Sequence, residues 1–341
     1  MLALQIIACT GVTNSSDTLA RIGRSPIGLA YDEQFRGHNV SEDFDRLAID
    51  PSTGTTFAGY LEASSGELYD KTIFKVDPQG HVSVMARLGK CHTHSTALAF
   101  DPRTRSLAAT CNHRIERISP TGSVSSLVGN DEAGHHDGVG SQATFDEPFD
   151  LVYDDMGNLY VADTQEIRMV KPDGRVTTLA GSCIVNAPNG SCKFGMTDGR
   201  GAHVRFNDVV AMTFDSIDHR LYVADDMNNK IQSVSFDGEV RTIAGACLSL
   251  DNRGICMNGY GLKDGRGTGA EFNSPFGIAF VPAQDAFYVA DWENNAIRKV
   301  KPNGEVTTVL KEARPRGIAY NPATRLLEWT DGEYIRTLKP R

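Results

Sequence analysis

Residues 145–181 read FDEPFDLVYDDMGNLYVADTQEIRMVKPDGRVTTLAG, and the fold follows from reading them as strands. Four short runs stand out: Asp150-Leu-Val-Tyr153, Tyr160-Val-Ala162, Ile167-Arg-Met-Val170 and Val176-Thr-Thr-Leu179. Their β-branched content and close, regular spacing favour strands over helices. Asp173-Gly174 separates the third run from the fourth, as a two-residue hairpin needing positive φ would. The pattern returns from Phe206 to Gly245 and from Phe272 to Leu310, with Asp237-Gly238 and Asn303-Gly304 at the hairpin. Tyr-Val-Ala-Asp recurs with its aspartate at Asp163, Asp225 and Asp291. A lone four-stranded sheet cannot bury both faces. Successive sheets packed around an axis can, and that arrangement is a β-propeller.

Weaker copies flank these three. RLAID, TTFAGY and TIFKVDPQG precede them from Arg46, ALAFD and RIERISPTG follow from Ala97, and a last copy starts at Pro315. The expected fold is all-β, a single six-bladed propeller over residues 1–341. Its blades cover about 45–88, 95–128, 145–181, 206–245, 272–310 and 313–341. The last copy has three strands, so Leu2–Ala8 within residues 1–8 is expected to supply the fourth and close the ring, which removes open sheet edges. Residues 9–44 are expected to form a loop region. Pro26–Tyr31 also resembles a first strand, which leaves the stump of a seventh blade as the alternative to six.

The succession Asp-Gly-x-Gly, Leu-Tyr-Val-Ala-Asp, Ile-Arg and Gly-x-Val-x-Thr-Leu-Ala-Gly resembles the NHL repeat, most clearly over residues 128–310. The resemblance implies a propeller but no single activity, because NHL propellers include protein- and RNA-binding modules, sensor ectodomains and peptide-amidating lyases.

Net charge is -9 and the pI about 5.5. No basic patch accompanies that balance, so nucleic acid is not an expected partner. No apolar run reaches the roughly 20 residues that span a bilayer. The apolar start at Met1–Cys9 lacks a basic n-region and reads as a strand rather than a signal peptide.

Seven cysteines are present. Cys183/Cys192 and Cys247/Cys256 each enclose eight residues after a matching Ala-Gly, in equivalent inter-blade loops. Repeated small rings read as disulfide-closed loops, and the close spacing of zinc-binding cysteine pairs is missing. Aligning blades puts Cys111 where other blades carry the motif aspartate, at the same end as Cys91, so Cys91–Cys111 is the third expected bridge. Cys9 remains over. Paired loops imply a secreted or lumenal protein.

Connections from strand four to strand one and turns from strand two to strand three share one end of the ring, the loop-rich face. Asp163, Asp225 and Asp291 are candidates there for a cation-binding ring at the channel mouth. Their recurrence in register instead favours a structural role in capping turns. Trp292 departs from the repeat, since Thr164 and Asp226 hold its place elsewhere, and with Tyr260 it is a candidate binding aromatic. His92 and His94, two apart in an extended loop, can point the same way and join His135 or His136 in an open zinc site. Amidating lyases of the resembled family hold zinc with histidines from separate blades, although their histidine pattern is not clear here. No cofactor is certain, and zinc or calcium are the candidate ions. The expected function is a secreted or lumenal, monomeric module that binds a protein or small-molecule ligand on its loop-rich face. The alternative is a metal-dependent lyase or hydrolase at the channel mouth.

Overall fold

The computed structural model describes residues 46–63, 69–91, 97–183, 194–251, 256–331 and 335–340. Within them lie six radially arranged antiparallel sheets, the blades of a six-bladed β-propeller. Blade 1 runs from Leu47–Asp50 to Val82–Cys91 and blade 2 from Leu98–Asp101 to Val124–Gly129. Blade 3 runs from Pro148–Tyr153 to Arg175–Gly181, and blade 4 from Val209–Asp215 to Glu239–Gly245. Blade 5 runs from Pro275–Val281 to Glu305–Lys311, and blade 6 from Ile318–Asn321 to Ile335–Leu338. The outer strand of blade 1 extends past the expected end at 88, because its ladder continues through the Tyr69–Cys91 pair. Among the described residues no helix is long and apolar enough to cross a membrane.

Burial follows position in the blade. Second strands such as Leu159–Asp163 are buried at every residue, because neighbouring blades cover both their faces. Outer strands such as Arg175–Gly181 are only partly covered. Here the repeat's closing glycine has a steric reason. Gly181 and Gly245 adopt φ of 89° and 83°, and a Cβ on either would lie 2.1 or 2.2 Å from the carbonyl oxygen of Gln165 or Asn229.

The Asp-Gly-x-Gly loops do more than turn. Gly138–Val139, Gly199–Arg200 and Gly265–Arg266 each add a two-residue strand to the outer edge of blades 3, 4 and 5. They shield part of edges that would otherwise offer unpaired backbone groups. The chain then turns inward and wedges Phe145, Phe206 or Phe272, each fully buried, between adjacent blades.

First strands of successive blades pack side by side around the axis, and Ile318–Asn321 of blade 6 lies against Leu47–Asp50 of blade 1. Direct bonds seal that seam. The Thr56 hydroxyl donates to Glu328 (2.6 Å) and the Asn321 amide to the Gly54 carbonyl (3.0 Å), while a bond from Asn321 to Glu328 (2.8 Å) within blade 6 links the two. The ring therefore has no gap for a seventh blade between these two. Residues 26–31, the expected closing strand at 1–8 and Cys9 lie outside the described residues.

Candidate functional site

The Tyr-Val-Ala-Asp aspartates end the second strands of blades 3, 4 and 5, and all three are fully buried. One carboxylate oxygen of each accepts a backbone N–H from the entry to its own blade, at Asp146, Asn207 and Asn273 (2.8–2.9 Å). The other oxygen faces the third strand. Arg298 donates to Asp291 (2.7 Å), Asp264 (3.0 Å) and the carbonyls of Glu271 and Lys263 (both 2.9 Å), and lies over the Phe272 ring. Arg168 repeats this in blade 3 with Asp163, Asp137 and the Thr144 carbonyl. Asp137 and Asp264 in turn hold Thr178 and Thr308 of the outer strand. The three aspartates are thus pins inside the blades, not a ring of exposed carboxylates. They tie the entry loop rather than only their own turn.

Blade 4 breaks the pattern. Gln232 stands where blades 3 and 5 have arginine and donates to Asp198 (3.0 Å). Asp225 is left with Asn228 (2.7 Å) and the Asn207 N–H as donors. Burial pushes its carboxyl up to about 7. Asp163 also rises to about 7 by burial, against the pull of Arg168 and His135.

His135 Nδ1 lies 3.2 Å from Glu166 Oε2, and Asp163 completes a trio whose ligand atoms fall within 4.8 Å of one another. Burial disfavours the imidazolium, but the Glu166 contact and the charges of Asp163 and Asp146 outweigh it, so His135 titrates above the ordinary histidine range. The cation position of the trio is contested by Arg168, whose Nη1 lies 3.2 Å from Asp163 and 3.8 Å from Glu166. His136 is exposed and its backbone pairs with Thr144, so the two adjacent histidines diverge. His92 and His94 lie outside the described residues.

Disulfides brace the same face. Cys91–Cys111 joins blades 1 and 2, and Cys247–Cys256 closes a small hairpin of Ser249–Leu250 with Cys256–Asn258. Cys183 is disulfide-bonded, while its expected partner Cys192 lies outside the described residues. Trp292 is half-buried against Phe276 (5.5 Å between centroids) and under Arg316, whereas Tyr260 is 50% exposed.

Arg46 had no place in the sequence reading. It immediately precedes the first strand of blade 1, at the level of Ala97, Asp150, Ala211, Gly277 and Gly317 in the other blades. Four of those are small enough to let a long side chain cross the axis. Its guanidinium donates to the Val210 (2.7 Å) and Phe276 (3.3 Å) carbonyls and stands 3.8 Å from Asp150. Burial pushes Asp150 up to about 6, with Arg46 and the Met212 N–H opposing. This layer bounds a channel cavity of about 470 Å³, which continues past Leu98, Leu151 and Ile278 to Pro51, Pro102 and Pro322 of the strand one–two turns. The cavity therefore lies towards the face opposite the loops.

Asp208 and Asp226 were not among the candidates from the sequence. Their signal was available, because both sit where the repeat varies: Glu147 and Ser274 hold the place of Asp208 in blades 3 and 5, and Thr164 and Trp292 that of Asp226. The Asp226 N–H donates to the Asp208 carbonyl (3.0 Å).

Comparison with known proteins agrees with this architecture. Residues 66–263 match the family model of the teneurin NHL domain. Mouse teneurin-4 is 28% identical over 277 residues, covering 72% of this chain and 10% of teneurin-4, so the chain spans about a tenth of that relative. An auxiliary nutrient binding protein from Bacteroides thetaiotaomicron superposes with a TM-score of 0.59 at 15% identity, over 87% of this chain and 69% of its own. A gluconolactonase from Xanthomonas campestris gives 0.57 at 14% identity, over 86% and 85%. At such identities the superpositions speak for the fold alone. With more than half of its length matched by that model, this chain belongs to the teneurin NHL-domain family.

Proposed function

We propose that this propeller is a protein-binding module working outside the cell or in a secretory compartment, with its loop-rich face as the binding surface. One observation carries the reading: the loops of that face are braced by disulfides, Cys91–Cys111 and Cys247–Cys256, which persist in oxidising compartments and present the loops as a preset surface. The teneurin relationship supports the location. The test places a photo-crosslinking amino acid at Tyr260 on the loop-rich face and, separately, at Ser216 on the opposite face. Defined adducts from position 260 alone, on the surface of cells that express a partner, are the expected result. Adducts from position 216 alone would overturn it.

A second reading, a metal-dependent lyase or hydrolase, draws support from the His135–Asp163–Glu166 trio. Arg168 weighs against it, because its guanidinium already neutralises two of the three ligands. Elemental analysis of untagged protein decides. Stoichiometric zinc lost on His135→Ala favours the enzyme. Zinc uptake gained only on Arg168→Gln shows the arginine to be the resident cation.

A further inference from the structure

Twelve large apolar side chains are exposed among the described residues, and six of them, Phe194, Met227, Leu248, Met257, Tyr260 and Leu262, belong to the loop-rich ends of blades 4 and 5. Phe194 and Tyr260 hold equivalent places. Each precedes a glycine, Gly195 or Gly261, whose carbonyl accepts from Asn228 (2.7 Å) or Asn294 (2.8 Å). That bond brings each aromatic to the turn carrying Met227 or Glu293. Leu248 and Met257, 70% and 52% exposed, flank the Cys247–Cys256 bridge on the paired hairpin. Exposed apolar groups gathered in this way mark an interaction surface more often than scattered ones do.

The charge beside them is acidic. Asp208 and Asp226 sit on touching segments, with Glu147 and Glu293 on the neighbouring blades. Asp208, Asp226 and Glu293 have no ion pair among the described residues. Burial, then Asp226, Asp225 and Glu147, push Asp208 up to about 7; burial and Glu293 push Asp226 up to about 6, against a hydrogen bond from Ser274 and the charge of Arg46. A cation brought there relieves that repulsion, whereas the same face of a second copy would add to it.

We propose that the loop-rich ends of blades 4 and 5 dock a partner-protein segment in which lysine or arginine is flanked by apolar side chains. The basic group enters beside Asp208 and Asp226, and its neighbours cover Met227, Leu248 and Tyr260. The proposal rests on the protein-binding reading above and adds the chemistry of the partner.

The probe is a phage-displayed library of random twelve-residue peptides selected on the whole chain. Enrichment of Lys or Arg beside Leu, Phe or Tyr is expected. The affinity of such peptides should fall at least tenfold in Asp208→Asn/Asp226→Asn, in Met227→Ser/Tyr260→Ser and, for the unaltered protein, on raising salt from 0.05 to 0.5 M. Asparagine tolerates the φ of 81° at residue 208, and the salt series needs no variant. Basic peptides that bind the asparagine variant unchanged, or enrichment of acidic peptides, overturn the proposal. If the selected peptides respond to the 227/260 variant but not to charge, the protein-binding reading stands and only the basic partner falls. If no peptide responds to any substitution on this face, both fall.

Discussion

Arg298→Gln turns the pin of blade 5 into a copy of blade 4, where Gln232 already occupies the site. The substitution removes a fully buried guanidinium and its bonds to Asp291, Glu271 and Lys263, while an amide like that of Gln232 keeps one to Asp264. Asp291 keeps the Asn273 N–H and Asn294 as donors, the same set that Asp225 has. Removing one partner of a buried pair costs about 3–5 kcal/mol when nothing replaces it. The retained donors put the expected loss at the low end, about 3 kcal/mol. At roughly 2.1 cal/mol/K per residue of unfolding entropy, 341 residues convert this to a fall in Tm of about 4 °C. The pH dependence has a definite sign. Burial already holds Asp291 above the ordinary carboxylate range, and without Arg298 it rises further, towards the value of about 7 at Asp225. A folded-state pKa raised above the unfolded one costs stability at pH values above it, and the cost fades as the group protonates. The deficit of the variant should therefore be larger at pH 8 than at pH 5. Differential scanning calorimetry of both proteins at the two pH values is the assay. An unchanged Tm, or a deficit independent of pH, would refute the account of Arg298 as a buried counter-charge.

Three further outcomes are expected. Arg46→Met should cost about 3 kcal/mol by leaving Asp150 buried without its cation, and Arg46→Met/Asp150→Leu should recover most of it; urea midpoints read both, and additive losses would contradict the pairing. At the ring seam, Glu328 is held above the usual carboxylate range by burial, against its bonds from Thr56 and Asn321. Glu328→Gln should stay within about 1 kcal/mol of the parent at pH 8, and Glu328→Ala should lose about 2 kcal/mol by orphaning the Thr56 hydroxyl and leaving Asn321 only its bond to the Gly54 carbonyl, which thermal melts can separate. Non-reducing peptide mapping should recover Cys91–Cys111 and Cys247–Cys256, and Cys247→Ser/Cys256→Ser should lower stability by roughly 3 kcal/mol on the chain-entropy estimate for a ten-residue ring.

The repeated units were legible because their chemistry is local. Tyr-Val-Ala-Asp, the Asp-Gly hairpins and the Thr-Leu-Ala-Gly ending each encode a strand or a turn through nearby backbone geometry, and register then brings Cys111 to Cys91. The short edge strands of the Asp-Gly-x-Gly loops were not legible, because pairing with an outer strand about forty residues later leaves no mark in the loop itself. Likewise the recurring Ile-Arg registered as a strand signal, although its arginine is the pin that neutralises Asp163 and Asp291.

Periodic pattern alone determined the blade architecture, the hairpins and the disulfide-loop spacing, since each depends on contacts within one or two repeats. Tertiary structure decided which charges meet. Arg46 faces Asp150 and the Val210 and Phe276 carbonyls across as many as 230 residues of chain, Thr56 reaches Glu328 across 272, and Asp208 crowds Glu147 and Asp226 from separate segments. Closing a ring brings residues together by their height on the axis rather than by their separation along the chain. Register within the repeat gives that height, as it did for Cys91 and Cys111, but not which side chains reach across the axis to meet.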